Sequence, residues 1–378
     1  MKPISKEYQQ AFDALRLLTP EQRDALFDSF YETSYSDSTV PQDPVLEWNS
    51  ALDKFFTDRR FANGRVCAHC NKETGVVRCG HTKAGSQRYR CNECGKTFTI
   101  TSNTALQGVK KNLRTIKRFI FSMVNGWSLD HTAAYCKIHR NTAYRWRHKI
   151  LDAVQKTMDN VVLNGIVEAD GTYFKESFKG NHDNDGFVMP RPAHKRGKKI
   201  PFNLTKEERE KLENPWKYQS RRGISGDKIC VVCAINREGV ALSRTVAKGR
   251  PTADSVESAL SGTVAPGSHF CTDRHTSYLK YAKSANLDHK RVNGTKGSLY
   301  GIYHIQHVNQ FHEQLESFVN KTLHGVSTKH LHKYLAWNVF LSSSKTSYEE
   351  KERLLGNIIA NSTGVVRCAD IANLPATL

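Results

Sequence analysis

At 378 residues the chain is longer than one hydrophobic core usually organises, so two or more domains are expected. Lys and Arg number 56 against 37 Asp and Glu, an excess of 19 positive charges that favours polyanionic partners, nucleic acid before any acidic membrane surface. No apolar run approaches a membrane span and MKPISKEYQQ lacks the apolar core of a signal peptide, which predicts a soluble, cytoplasmic chain with no membrane partner. In that compartment the ten cysteines serve metal or core packing rather than disulfides.

Residues 1–60 read as a helical region, with Thr19-Pro20-Glu21-Gln22 as a helix start and a turn-rich break at 34–44. The stretch 61–105 changes character. Cys67-x-x-Cys70 and Cys91-x-x-Cys94 are two knuckles, each letting a pair of thiolates reach one tetrahedral Zn²⁺. Short strands are predicted at GVVRCG, QRYRC and KTFTI, which makes this a zinc ribbon with a structural ion. Cys79 and His81 lack knuckle spacing and read as strand residues. Residues 106–158 follow a helix-turn-helix pattern: a helix ending near Gly126, a second capped by Ser128, and a third beginning around Arg140. In the third, Ala143, Trp146 and Ile150 form the inner face, while Arg140, Asn141, Thr142, Arg145 and Arg147 are the expected DNA-binding residues.

From 159 to 345 strands come first and then alternate with helices, an α/β or α+β pattern with both sheet faces covered. Strands are predicted at 165–174, at two runs within 227–249 joined by a turn at Arg237-Glu238-Gly239, and at 267–273; helices at 252–261, TSYLKYAKSAN, 305–324 and 328–343. Cys230 and Cys233 mimic a knuckle, but an odd separation in a strand sends them to opposite faces. With Cys136, Cys271 and Cys368 they read as buried free thiols. Asp170 lies among apolar strand residues, Glu168 shares its face, and Asp273 closes another strand. The helix HVNQFHEQLESFV then presents Asn309, His312, Glu313 and Glu316 beside an apolar stripe of Val308, Phe311, Leu315, Phe318 and Val319. Carboxylates from two strands plus a helix ligand can hold two divalent ions around a scissile phosphate, though unrelated strand-end acids give the same spacing. The long basic insert at 179–226 reads as a DNA clamp or a solvated loop. Residues 346–378 are a C-terminal helix and tail with no assigned role.

The motifs RYRCNECGKTFTI, NTAYRWRHKI, VEADGTYF, RRGISGDKICVV, TDRHTSY and HVNQFHEQL…GVSTKHLHKYLAW span about 65–343. In kind and order they resemble bacterial insertion-sequence transposases of the DDE type with an N-terminal zinc ribbon. That resemblance implies a multidomain α/β chain with a ribonuclease-H-like mixed-sheet catalytic domain. It puts the family's first aspartate on Asp170 and its second on Asp273. The family's glutamate is replaced: alignment sets His312 at the third position, with Glu313, Glu316 and Asn309 as the ranked alternatives, and a basic partner at Lys321. The expected cofactors are structural Zn²⁺ and two catalytic Mg²⁺ or Mn²⁺ ions, an imidazole ligand tilting the choice towards Mn²⁺. The resemblance further implies a nucleoid-associated enzyme that binds the inverted repeats of its own element, cleaves there and joins the 3′-hydroxyls to target DNA. It would act as a homodimer or larger assembly on double-stranded DNA. The rival readings are a catalytically silent zinc-ribbon and helix-turn-helix regulator, and a nuclease without strand transfer.

Overall fold

The structure is a computed structural model that describes Gln22 and residues 44–180 (except 84), 228–292, 301–343, 346–364, 367–372 and 374. The Thr19-Pro20 helix start and nearly all of the basic insert lie outside the described residues.

Helix α1 (Pro44–Arg60) leads into a three-stranded antiparallel sheet, β1 (Val76–His81), β2 (Gln87–Cys91) and β3 (Thr97–Thr99), in that order. Its small core is Val76, Tyr89 and Phe98 around the cysteines, with the Tyr89 and Phe98 rings stacked 5.6 Å apart across the β2–β3 pair. Arg60 ties α1 to this sheet through the carbonyls of Ile100 and Ser102, at 2.6 and 2.7 Å.

Three helices follow: α2 (Leu113–Val124), α3 (Leu129–Tyr135) and α4 (Arg140–Met158). Side chains of Asn112, Ser128 and His139 cap them by accepting from Thr115, His131 and Asn141 backbone N–H groups.

The second sheet contains β4 (Ile166–Lys175), β5 (Lys228–Asn236), β6 (Ala241–Lys248), β7 (His269–Thr272) and β8 (Asp288–Arg291), ordered β6-β5-β4-β7-β8. The β4–β5 and β5–β6 pairs are antiparallel; β4–β7 and β7–β8 are parallel. This mixed five-stranded sheet fits the ribonuclease-H-like domain that the resemblance implies. Alternation along the strands sorts the two faces. Val167, Ala169, Val232 and Ala234 pack under α5 (Ala253–Leu260) and α6 (Ser277–Ser284). Phe174, Ile229, Val231 and Cys233 face α7 (Gln306–Ser317) and α8 (Leu331–Ser342). Helices α9 (Tyr348–Asn361) and α10 (Cys368–Ala372) follow.

The helix read as 305–324 is two pieces, because α7 gives way at Phe318 to a π-helical turn running to Thr322. Strand β8 was not anticipated at all.

One apolar core joins α2 and α4 to the α8 face of the sheet. Trp337 Nε1 donates to the Met123 carbonyl at 2.9 Å, Tyr144 and His330 meet at 3.1 Å, and Lys333 pairs with Asp152 at 3.0 Å. Gly126 (φ 65°) turns the chain out of α2; a Cβ there would fall 3.1 Å from Leu341 and 3.2 Å from Phe318, so the turn itself is wedged against the domain of the five-stranded sheet. Among the described residues no helix is long and apolar enough to cross a membrane.

Candidate active site

Strand β4 and helix α7 build the site between them. Glu168, Asp170 and Thr172 point to one face of β4, spaced about 6.7 Å apart by the two-residue repeat. A helix advances about 6 Å in four residues, so one turn of α7 keeps step with each pair of strand residues. The contacts follow that match. Glu168 meets the first turn at His307 and Val308, Asp170 lies beside His312, and Thr172 Oγ1 donates to Glu316 Oε1 at 2.7 Å. Val308, Phe311 and Leu315, at most 2% exposed, seat the helix, and Phe318 and Val319 continue the stripe as expected.

His312 Nδ1 lies 4.0 Å from Asp170 Oδ2. Parallel pairing matches Ala169 with Thr272, so Asp273, one residue past β7, follows alongside Asp170. Its Oδ1 accepts the His275 backbone N–H at 2.9 Å, fixing the turn after the strand.

Burial pushes the Asp170 carboxyl up to about 6, against a hydrogen bond from the Gly171 backbone, and the neighbouring Asp273 charge raises it further. Burial holds the His312 imidazole below its ordinary value, so it is neutral near pH 7. Its Nε2 is buried with no hydrogen-bond partner among the described residues. A neutral imidazole with an unsatisfied buried nitrogen, beside a carboxylate that resists charging alone, is a donor set suited to a divalent cation.

The ranked alternatives separate. Glu316 turns to the strand and is held by Thr172, whereas Asn309 and Glu313 are exposed. Lys321 sits exposed in the π turn. Asp170, Asp273 and His312 do not form a set with all donor atoms within 4.8 Å, a condition the four cysteines do meet.

In the N-terminal sheet Cys67 Sγ lies 3.7 Å from Cys94 Sγ, and Cys70 Sγ 3.7 Å from Cys91 Sγ. A tetrahedron with Zn–S bonds of about 2.3 Å has edges of about 3.8 Å, so the cluster fits zinc. Each knuckle is closed by a residue in the left-handed region, Asn71 (φ 56°) and Gly95 (φ 69°), whose N–H returns to the first cysteine's carbonyl. Cys79 and His81 stay on β1, outside the cluster. Cys136, Cys230, Cys233 and Cys271 are buried free thiols, and Cys230 and Cys233 face opposite sides of β5. The Cys368 side chain lies outside the described residues.

On α4, Arg140, Asn141 and Arg145 are exposed and Thr142 is half-buried; Arg140 is paired with Asp130 at 2.5 Å. Arg147 departs from its expected role. It is 1% exposed, donates to the carbonyls of Trp127 and Ser128 at 2.9 and 3.2 Å and to Thr132 Oγ1 at 2.8 Å, and lies 5.0 Å over the Trp337 ring. It braces the helical module and cannot reach a phosphate. The signal was present: Arg147 is four residues after Ala143 and three before Ile150, on the buried stripe.

A second feature joins Glu168, whose shared face with Asp170 was read from sequence, to partners that were not. Glu168 accepts at 2.8 and 3.1 Å from the His307 and Val308 N–H groups and pairs with Arg237 at 2.7 Å. No local pattern links these residues, which meet only through the fold.

Residues 162–341, which hold this sheet and α7, match the family described as the ISXO2-like transposase domain. An uncharacterized protein in the transposable element ISH50 of Halobacterium salinarum is 29% identical over 122 residues, 32% of this chain and 40% of that protein. The match thus spans less than half of that relative's length. The five-stranded mixed sheet, both aspartates and the family match coincide on residues 162–341, just under half of the chain, and with the ISH50 relative they support an insertion-sequence transposase.

Proposed function

We propose that the protein is a DNA transposase acting on the ends of its own element. The observation that carries this reading is the buried, unpartnered Nε2 of His312 next to Asp170, in the segment matching a transposase domain. Asp170, Asp273 and His312 are the metal ligands in this reading, with Glu316 one helical turn away and Glu313 and Asn309 as lesser alternatives. Two Mg²⁺ or Mn²⁺ ions held there would supply Lewis-acid activation of water or a 3′-hydroxyl. Asp170, at the middle of β4, would hold these ions together with Asp273 and His312 and keep them where the phosphate is attacked.

The cysteine module is a zinc ribbon and α2–α4 a DNA-binding helix-turn-helix. Arg140, Asn141, Thr142 and Arg145 line the exposed start of α4, where base edges would be read. Together they would hold the terminal repeats, while the common core of α4 and α8 fixes the distance from bound DNA to Asp170. Pairing two ends calls for a homodimer or larger assembly on DNA.

The test uses labelled element ends, an unlabelled second duplex and Mn²⁺ or Mg²⁺. Nicking followed by joining to the second duplex is expected. Nicking without joining would make the protein a nuclease. Tight end binding without nicking would make it a silent regulator.

A further inference from the structure

Glu168 is the most confined carboxylate near the site: 1% exposed and surrounded by five nitrogens. Oε2 takes the His307 and Val308 backbone N–H groups of the first turn of α7, where the helix dipole favours negative charge. Oε1 lies 2.7 Å from Arg237 Nη1, 2.8 Å from His307 Nδ1 and 3.2 Å from His304 Nδ1. Glu168, His304 and His307 have the make-up of a metal site. A cation already occupies its centre, since Arg237 Nη1 is also 3.0 Å from His304 Nε2 and in contact with His307. The same guanidinium donates to the Ile302 carbonyl at 2.6 Å, so it grips the segment entering α7 as well as the strand carboxylate.

Apolar packing alone would let α7 slide along β4, because Val308, Phe311 and Leu315 meet a surface without directional contacts. Two polar pins set its position. Glu168 holds the start, and Thr172 holds Glu316 one turn beyond His312. Glu168 and Thr172 flank Asp170 on the same strand face, so whatever fixes α7 against them also fixes His312 against Asp170.

We propose that Glu168 and Arg237 are positioning residues, an ion pair of a buried carboxylate and a half-buried guanidinium that sets α7 along β4 and thereby the spacing of His312 from Asp170. The inference rests on the reading of Asp170, Asp273 and His312 as metal ligands. Neither Glu168 nor Arg237 touches the reacting atoms. Their effect should therefore appear as weakened metal binding and a loosened first turn, with DNA-end affinity unchanged.

The test compares full-length wild type with Glu168→Gln, Arg237→Ala, Arg237→Lys and Thr172→Val, with Asp170→Asn as the reference for the metal site. Mn²⁺ affinity is titrated by the loss of free-ion paramagnetic resonance, and backbone exchange is followed across 306–317. The expected result is a tenfold or greater loss of Mn²⁺ affinity in Glu168→Gln and Arg237→Ala, with partial return in Arg237→Lys. Thr172→Val, which leaves the ion pair intact, should lose about threefold. Exchange at His307 and Val308 should accelerate in the Glu168 and Arg237 variants. Wild-type Mn²⁺ affinity in Glu168→Gln and Thr172→Val alike would overturn the proposal. If Asp170→Asn bound Mn²⁺ like wild type while Glu168→Gln lost it, the ion would belong to Glu168 and its histidines, and both the clamp and the site assignment would fall. If Asp170→Asn alone lost Mn²⁺, the active-site reading would stand and the clamp would fail.

Discussion

Asp170→Asn should stabilise the protein while abolishing its chemistry. The Asp170 side chain is 24% exposed, and its carboxyl is pushed from 3.8 to about 6, by burial first and by Asp273 second. A folded-state pKa above the unfolded one means that the folded protein holds the proton more tightly. The associated stability is complete below about pH 4 and is lost as pH rises through 6. At about 1.4 kcal/mol per pH unit, ionising Asp170 at neutral pH costs roughly 3 kcal/mol. Asparagine keeps the shape and carries no charge, so it avoids that cost. The two proteins should melt together near pH 4 and diverge by about 4 °C at pH 7 and above, the asparagine variant melting higher. Thermal unfolding without divalent cations, from pH 4 to 8, measures the difference directly, and titrating groups that do not interact with Asp170 cancel between the curves. Mn²⁺ should then narrow the gap by binding wild type alone. A melting difference independent of pH, or an asparagine variant less stable at pH 7, would refute the view that Asp170 is a carboxylate held at a cost for catalysis.

The two arginines of α4 should behave oppositely. Arg145→Ala is expected to weaken end binding and reduce the salt slope by about 1, with little change in melting. Arg147→Ala should cost about 2–4 kcal/mol of stability, because the Trp127 and Ser128 carbonyls and the Thr132 hydroxyl lose their donor. Equal effects of the two on melting would contradict the inward placement of Arg147. For the cysteine cluster, elemental analysis should find one zinc per chain, and Cys91→Ser or a strong chelator should remove it and end binding together. Retention of end binding by the zinc-free protein would dissociate the ribbon from DNA recognition.

Much of the five-stranded-sheet domain was legible because its central strands bury both faces and carry unmistakable apolar runs. Ile166–Lys175 and Lys228–Asn236 coincide closely with the strands read from sequence, and Ser128 caps α3 as its hydroxyl suggested. Strand β8 was not legible, since Asp-His-Lys-Arg has no apolar alternation and gains its place by backbone pairing with β7 at the sheet edge. The break of α7 into a π turn at Phe318 left no trace in composition. Among the candidate site residues, Asp170, Asp273 and His312 were picked out by their surroundings and the family resemblance together, and the fold sets His312 beside Asp170. Arg147 was misread because its charge outweighed its place on the apolar stripe. The Glu168–Arg237 pair was half visible: the shared face with Asp170 could be read, but the arginine arrives from the β5–β6 turn.

The central claim is that His312 completes an active metal site with Asp170 and Asp273, and cleavage of labelled element ends by wild type, Asp170→Ala and His312→Ala in Mn²⁺ tests it most directly. Nicking by wild type, a fall of at least about 100-fold in both variants, and undiminished end binding are expected. Full nicking by His312→Ala, with activity still lost in Asp170→Ala, would contradict the assignment and move the third ligand to Glu316.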